Sequence, residues 1–197
     1  MEYITSSDFH FKDTAVALGK FEGIHRGHQL LMDEVKKQEL HGLRSVVFTF
    51  DRPTRLTLTG DTEYKQIYTK KERREILEKR GIDILIEHPF TKEFAALTPD
   101  RFIREVLVEK VGAKVIVVGT DFHFGKNRSG SITDLEKLEE ECGYHLIVVE
   151  KLQLNGKDIS STRIRASLEK GAMEEAKALL GRNYSVSGEI LHGNALG

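Results

Sequence analysis

Five short runs of this chain are apolar almost without a break: 15–18 (AVAL), 45–50 (SVVFTF), 82–86 (IDILI), 115–118 (VIVV) and 146–149 (LIVV). A strand with one wet face alternates apolar and polar residues, whereas an unalternating run suits a strand covered on both faces. Helical signals fill the gaps. Residues 27–38 follow the first run. Thr69 and Glu72 stand at capping-box spacing ahead of Ile76 and Leu77. Thr98, Pro99 and Asp100 read as N-cap, N1 and N2 of a helix whose apolar face is Phe102, Ile103, Val106 and Leu107. Thr133 and Glu136 predict another capping box, and 161–169 and 173–180 predict two closing helices, the second stopped by Gly181. Strand, helix, strand, repeated, predicts an α/β fold: a Rossmann-like parallel sheet with helices on both faces. Such sheets bind ligands at the carboxyl ends of their strands, so the loops after Leu18, Phe50, Val118 and Val149 are where chemistry belongs.

The pattern changes after Asn183. The stretch YSVSGEILHGNALG (184–197) reads as an extended strand and a Gly-rich turn, too short to fold alone, so the expected domain is 1–182. A net charge of −1 gives no basic field for nucleic acid. No run of 18 apolar residues predicts a membrane span, and the first ten residues lack the basic-then-apolar pattern of a signal peptide. The single cysteine, Cys142, has no partner for an internal disulfide, which fits a reducing cytoplasm.

The loop after the first run is GKFEGIHRGH (19–28). Gly19 and Gly23 are expected to let the chain turn sharply, and Gly27 to leave room for a large group against the backbone. His25 and His28 are three apart, so on a first helical turn they point the same way. The free N–H groups and positive dipole end there suit a phosphate, to which two imidazoles donate hydrogen bonds as charge develops. A His-x-x-His pair also occurs as plain surface. A zinc site would need further ligands, and neither a nearby Cys pair nor His-Glu-x-x-His is present. Late in the chain, ISSTRIR (159–165) sets the hydroxyls of Ser160, Ser161 and Thr162 at a helix start with Arg165 as a fixed cation, a pattern an ordinary N-cap also produces. Gly119 to Lys126 is no Walker loop: five residues separate its glycines and Asn127 stands where Ser or Thr should hold magnesium.

Taken together, GKFEGIHRGH and ISSTRIR resemble the nucleotidyltransferase superfamily, with its His-x-Gly-His and Ile-Ser-Ser-Thr-x-x-Arg signatures. The stretches VVGTDFHFGKNRSG (117–130), LTPDRFIREVLVEKVGAKVIVVG (97–119) and LLGRNYSVSGEILHGNALG (179–197) look like the FMN adenylyltransferase module of the bacterial bifunctional riboflavin kinase/FAD synthetases. The resemblance implies that ATP and FMN react, with magnesium, to FAD and pyrophosphate, by in-line attack of the FMN phosphate on the ATP α-phosphorus. It implies that His25, His28 and Arg165 are catalytic, and that Gly19, Phe21, Gly23, Gly27, Ser160, Ser161 and Thr162 bind the ATP phosphates. Asp121, Phe122, Phe124 and Arg128 would hold the flavin, and no protein metal ligand is implied. It further implies that 183–197 is the incomplete start of a riboflavin kinase-like module, so that riboflavin kinase activity is not expected of this chain. Two departures stand out. Glu22 occupies a position commonly Asp, and FTFDRPT (48–54) keeps Asp51 and Pro53 but has Arg52 where the family has a Pro-His-Pro loop on the flavin side. A sister nucleotidyltransferase with another phosphorylated acceptor and a non-catalytic flavin-binding module are the competing readings.

Overall fold

A computed structural model of the chain describes residues 1–52 and 65–188. The five apolar runs become strands of one parallel sheet. These are β2 (Thr14–Leu18), β3 (Arg44–Phe50), β4 (Ile84–His88), β5 (Ala113–Gly119) and β6 (His145–Val149), joined at the edge by β1 (Glu2–Ile4). The order is β1-β4-β3-β2-β5-β6. Side chains alternate between two buried layers. Val16, Leu18, Val46, Phe48, Ile84, Ile86, Ile116 and Val118 fill one; Ala15, Ala17, Val47, Leu85, Val115 and Val117 fill the other. Double coverage is the reason the runs show no polar alternation.

Helices α1 (Arg26–Lys37) and α2 (Lys70–Lys79) cover the second layer through Leu31, Met32, Val35 and Leu77. The short α3 (Lys92–Ala95) follows β4. Next, α4 opens as Pro99–Arg101 and runs on as a π-helix over Phe102–Lys110, packing its predicted apolar face on the first layer beside Leu135 of α5 (Ile132–Cys142). The Val111 N–H reaching Val106 O, five residues back, is the π signature. The capping box of α5 is formed by Ser131 and Asp134, not by Thr133 and Glu136: Ser131 N–H donates to Asp134 Oδ2 at 2.8 Å. Ser131 and Asp134 stand at the same three-residue spacing as the predicted pair, and the antiparallel bridge between Phe124 and Gly130 brings Ser131 to the helix mouth first.

The closing helices are α6 (Ser161–Glu169) and α7 (Met173–Leu180), with Gly181 at φ 72 ending the second. Between β6 and α6 lies a hairpin, β7 (Gln153–Leu154) with β8 (Lys157–Asp158), whose Asn155-Gly156 corner takes φ 55 and 71. An Asn-Gly pair is the hairpin signal in the sequence. Residues 183–188 belong to neither helix nor strand, and the rest of the strand expected in 184–197 lies outside the described residues, as does Pro53.

The chain moves from β2 through β3 toward β4, then crosses back to β5 on the other side of β2. The direction reverses at β2. The crevice beyond its carboxyl end is where such sheets bind ligands.

Candidate functional site

The loop leaving β2 turns without using its glycines for conformation. Phe21 and Ile24 take the left-handed values, φ 46 and 43, while Gly19, Gly23 and Gly27 do not. This corrects the expectation of glycine-made turns. Each glycine supplies space instead. A Cβ on Gly19 would lie 3.0 Å from the Phe21 ring, one on Gly23 3.1 Å from Ile67 Cδ1 and 3.4 Å from Ile164 Cδ1, and one on Gly27 3.3 Å from His25 Nδ1. Phe21 is fully buried, its ring tucked against Gly19 and edge-on to His28, so its side chain supports the loop from below.

His25 is the N-cap of α1. Its Nδ1 accepts the His28 N–H at 3.2 Å, which leaves the ring proton of the neutral form on Nε2. The His28 ring stacks on it with centroids 3.6 Å apart. His28 Nδ1 is sealed from solvent with no hydrogen-bond partner among the described residues. Burial, reinforced by the Arg182 guanidinium, depresses the His25 pKa to about 4. Burial, with His25 alongside, also holds His28 well below its ordinary value. Both rings are therefore neutral N–H donors near pH 7. The first turn of α1 carries no acidic residue to offset its positive end.

This depression makes stability depend on pH. Between about pH 4 and 6.5 the unfolded His25 binds a proton that the folded one refuses, so stability falls as pH drops through that window. The expected loss is about 3 kcal/mol. His25→Asn keeps a capping acceptor and removes the titration. Urea unfolding at pH 7 and pH 4 is expected to show that much less acid sensitivity in the variant; equal sensitivity would refute the assignment.

The second motif arrives from the far end of the chain. Ser160 caps α6, accepting the Arg163 N–H at 3.3 Å, which leaves its hydroxyl proton to donate elsewhere. Ser161 and Thr162 form the first turn. Arg163 is structural: it donates to Leu154 O and Lys157 O of the hairpin and pairs with Glu175 of α7. Arg165 Nη1 reaches Glu22 Oε2 at 3.3 Å, joining the two motifs across 143 residues. The apolar seam of Ile67, Ile164, Leu179 and Leu180 packs below, with Gly23 against it.

Sequence reasoning missed Arg182. Its Nη1 donates to Ile24 O at 2.7 Å and its Nη2 to Gly23 O at 2.8 Å, while Gln29 Nε2 holds Ile24 O and Leu180 O. No spacing rule links residues 158 apart.

The loop after β5 is less concentrated. Asp121 is exposed and pairs with Lys151 at 3.1 Å. Phe122 is half-buried and stacks on Phe124, which itself sits in the core against Phe102 and Gly130. Phe124 thus fills the fold and leaves Phe122 as the accessible ring. Arg128 is exposed, at φ 59. Near the carboxyl ends of β2 and β3 lies a narrow cleft, with a cavity volume of about 20 Å³, lined by Lys20, Glu22, Asp51, Arg52, Lys70 and Arg73 among others. Arg73 is paired with buried Glu87 and Arg52 with Asp51, so Lys20 and Lys70 are the cations of the cleft that favour an anionic ligand. None of Asp121, Phe122, Phe124 or Arg128 lines this cleft. Asp51 is tied down, accepting the Phe90 N–H at 3.1 Å and pairing with Arg52 at 3.2 Å. Among the described residues no three His, Cys, Asp or Glu side chains gather as a metal site.

Comparison with known proteins sharpens this picture. A family model described as FAD synthetase matches residues 8–163. Proteins named bifunctional riboflavin kinase/FMN adenylyltransferase are similar at 32% identity. The one from Buchnera aphidicola subsp. Schizaphis graminum aligns over 94% of this chain and 60% of its own length. For Listeria monocytogenes the shares are 98% and 62%, and for Escherichia coli K12 92% and 58%. The chain thus spans about three fifths of those relatives. A crystal structure named as a macrolide-efflux protein from Streptococcus pneumoniae superposes with a TM-score of 0.80 at 30% identity, over 97% of this chain and 66% of that one. Among the described residues no helix is long and apolar enough to cross a membrane. A pantoate–β-alanine ligase from Francisella tularensis, with a TM-score of 0.51 at 14% identity over 89% of this chain and 85% of that one, shares the fold.

Proposed function

The chain belongs to the FAD synthetase family, and from that premise we propose that it is an FMN adenylyltransferase, converting ATP and FMN into FAD and pyrophosphate. The observation that supports the reading is the meeting of two distant motifs: Arg165 of α6 reaches Glu22, three residues before the neutral His25 that caps α1.

In the proposed reaction an FMN phosphate oxygen attacks the ATP α-phosphorus, and the bond from that phosphorus to the β-phosphate bridging oxygen breaks. The nucleophile is already ionised near neutral pH, so no strong base is required. The protein's task is to hold the reactants in line and stabilise charge that builds on the α-phosphoryl oxygens. His25 and His28 serve as uncharged N–H donors to those oxygens. Arg165, with the hydroxyls of Ser160, Ser161 and Thr162 at a helix N-terminus, receives the departing pyrophosphate. The space beside Gly19, Gly23 and Gly27 is taken by Phe21, Ile67, Ile164 and His25, so these glycines would meet the phosphates through their backbone groups rather than by leaving a hollow for them. Asp121, Phe122 and Arg128 offer a polar and aromatic edge for the flavin. Magnesium would arrive with ATP and be held by the substrate phosphates; the carboxylates of the cleft, Glu22 and Asp51, are each already paired with an arginine. The lone cysteine suits a cytoplasmic setting, and a riboflavin kinase module of the kind named in the relatives is the source of FMN that this reading favours.

Incubation with ATP, magnesium and FMN, followed by chromatography of the flavins, is expected to show FAD with an equal amount of pyrophosphate. A folded protein that produces none would overturn the reading in favour of flavin binding without catalysis.

A further inference from the structure

Four observations converge on Arg182. Its guanidinium bridges two consecutive carbonyls of the loop after β2, Gly23 O at 2.8 Å and Ile24 O at 2.7 Å, and also reaches Leu180 O. It stands over the Tyr68 ring, 5.1 Å from the centroid, and its partners in the loop are carbonyls rather than a carboxylate. The loop it grips is conformationally demanding, because Ile24 is β-branched and yet sits at φ 43. The segment that follows is fastened down too: Tyr184 Oη donates to Ile67 O at 3.1 Å and the Ser187 N–H to Glu72 Oε1 at 2.8 Å.

In a trans peptide the C=O and the next N–H point in opposite directions. Drawing the Gly23 and Ile24 carbonyls toward Arg182 therefore turns the Ile24 and His25 N–H groups the other way. Neither of those N–H groups donates to another described backbone carbonyl. We propose that Arg182 is a positioning residue for nucleotide binding: by clamping these two carbonyls it holds the strained loop so that the Ile24 and His25 amides and the His25 ring face the triphosphate. The inference rests on reading this loop as the phosphate site. Burial keeps the His25 imidazole neutral, and the anchored guanidinium of Arg182 adds to that effect. Arginine suits the task because its fork spans two carbonyl oxygens at once, which an ammonium cannot do in one fixed geometry.

The test compares Arg182→Met and Arg182→Lys with the unaltered protein. ATP affinity is measured by calorimetry without FMN, and the His25 imidazole is titrated by NMR. Arg182→Met is expected to weaken ATP about 30-fold, while the Km for FMN changes less than about twofold. Its His25 should titrate at higher pH. Arg182→Lys keeps the charge but loses the two-carbonyl grip. It should leave the His25 titration near its original position and weaken ATP about tenfold. Unchanged ATP affinity in Arg182→Lys would overturn the proposal even if Arg182→Met does not fold. Equal loss of ATP and FMN, in step with the thermal melting point, would overturn it as well. Because ATP binding is read without turnover, a protein that binds ATP but makes no FAD would discredit the proposed reaction and leave the role of Arg182 intact.

Discussion

Replacing His28 by Ala is expected to lower the turnover of FAD formation by about 10²–10³-fold, the cost of losing one preorganised donor to a developing oxyanion. Flavin affinity should stay within about twofold, since the loss falls on transition-state stabilisation rather than on uniform binding. The expectation rests on position: His28 lies on the first turn of α1, stacked 3.6 Å from His25 and braced edge-on by Phe21. Burial keeps it uncharged, so it contributes directed hydrogen bonding and not a diffuse cation. Removing the ring also leaves a void beside Phe21, so the melting temperature must be followed in parallel. His28→Gln, which retains an N–H donor, should recover part of the rate. Turnover equal to the unaltered protein in the folded Ala variant would sink the role given to His28.

The second large effect concerns Arg165. Arg165→Met is expected to reduce kcat/Km for ATP by about 10²-fold and to weaken product inhibition by pyrophosphate in the same proportion. The Km for FMN should hold. Arg165 is held by Glu22, whose residue is only 9% exposed, so the cation is kept at the motif junction instead of sweeping through solvent. A guanidinium fits two phosphate oxygens at once, so Arg165→Lys should recover the charge but only part of the affinity. If pyrophosphate inhibits Arg165→Met as strongly as the unaltered protein, Arg165 does not receive the leaving group and its contact with Glu22 is a purely structural tie.

What the sequence determined alone was whatever local pattern and pairwise chemistry dictate. Unalternating apolar runs have one stable use, a sheet covered on both faces, and all five became strands. The ends of α6 and α7, the Thr69–Glu72 box and the Gly181 stop are written in their own neighbouring residues, because caps and left-handed termini are short-range. The two motifs proposed to bind phosphate were legible for the same reason: each sits at a helix start. Tertiary structure decided what depends on contacts between distant residues. The three glycines of the first loop yield space to Phe21, Ile67, Ile164 and His25, while Phe21 and Ile24 make the turns, a division invisible without the neighbours. Phe124 is taken by the core and Phe122 is left outside because Phe102 and Gly130 close over one ring only. The three-residue β1 is a strand through its pairing with β4, having too few residues to show a period. Arg182 reaches back 158 residues to the loop it clamps, and Arg165 meets Glu22 over 143. Such pairings follow from the packing of α6 and α7 beneath the β2 loop, and packing has no period along the chain.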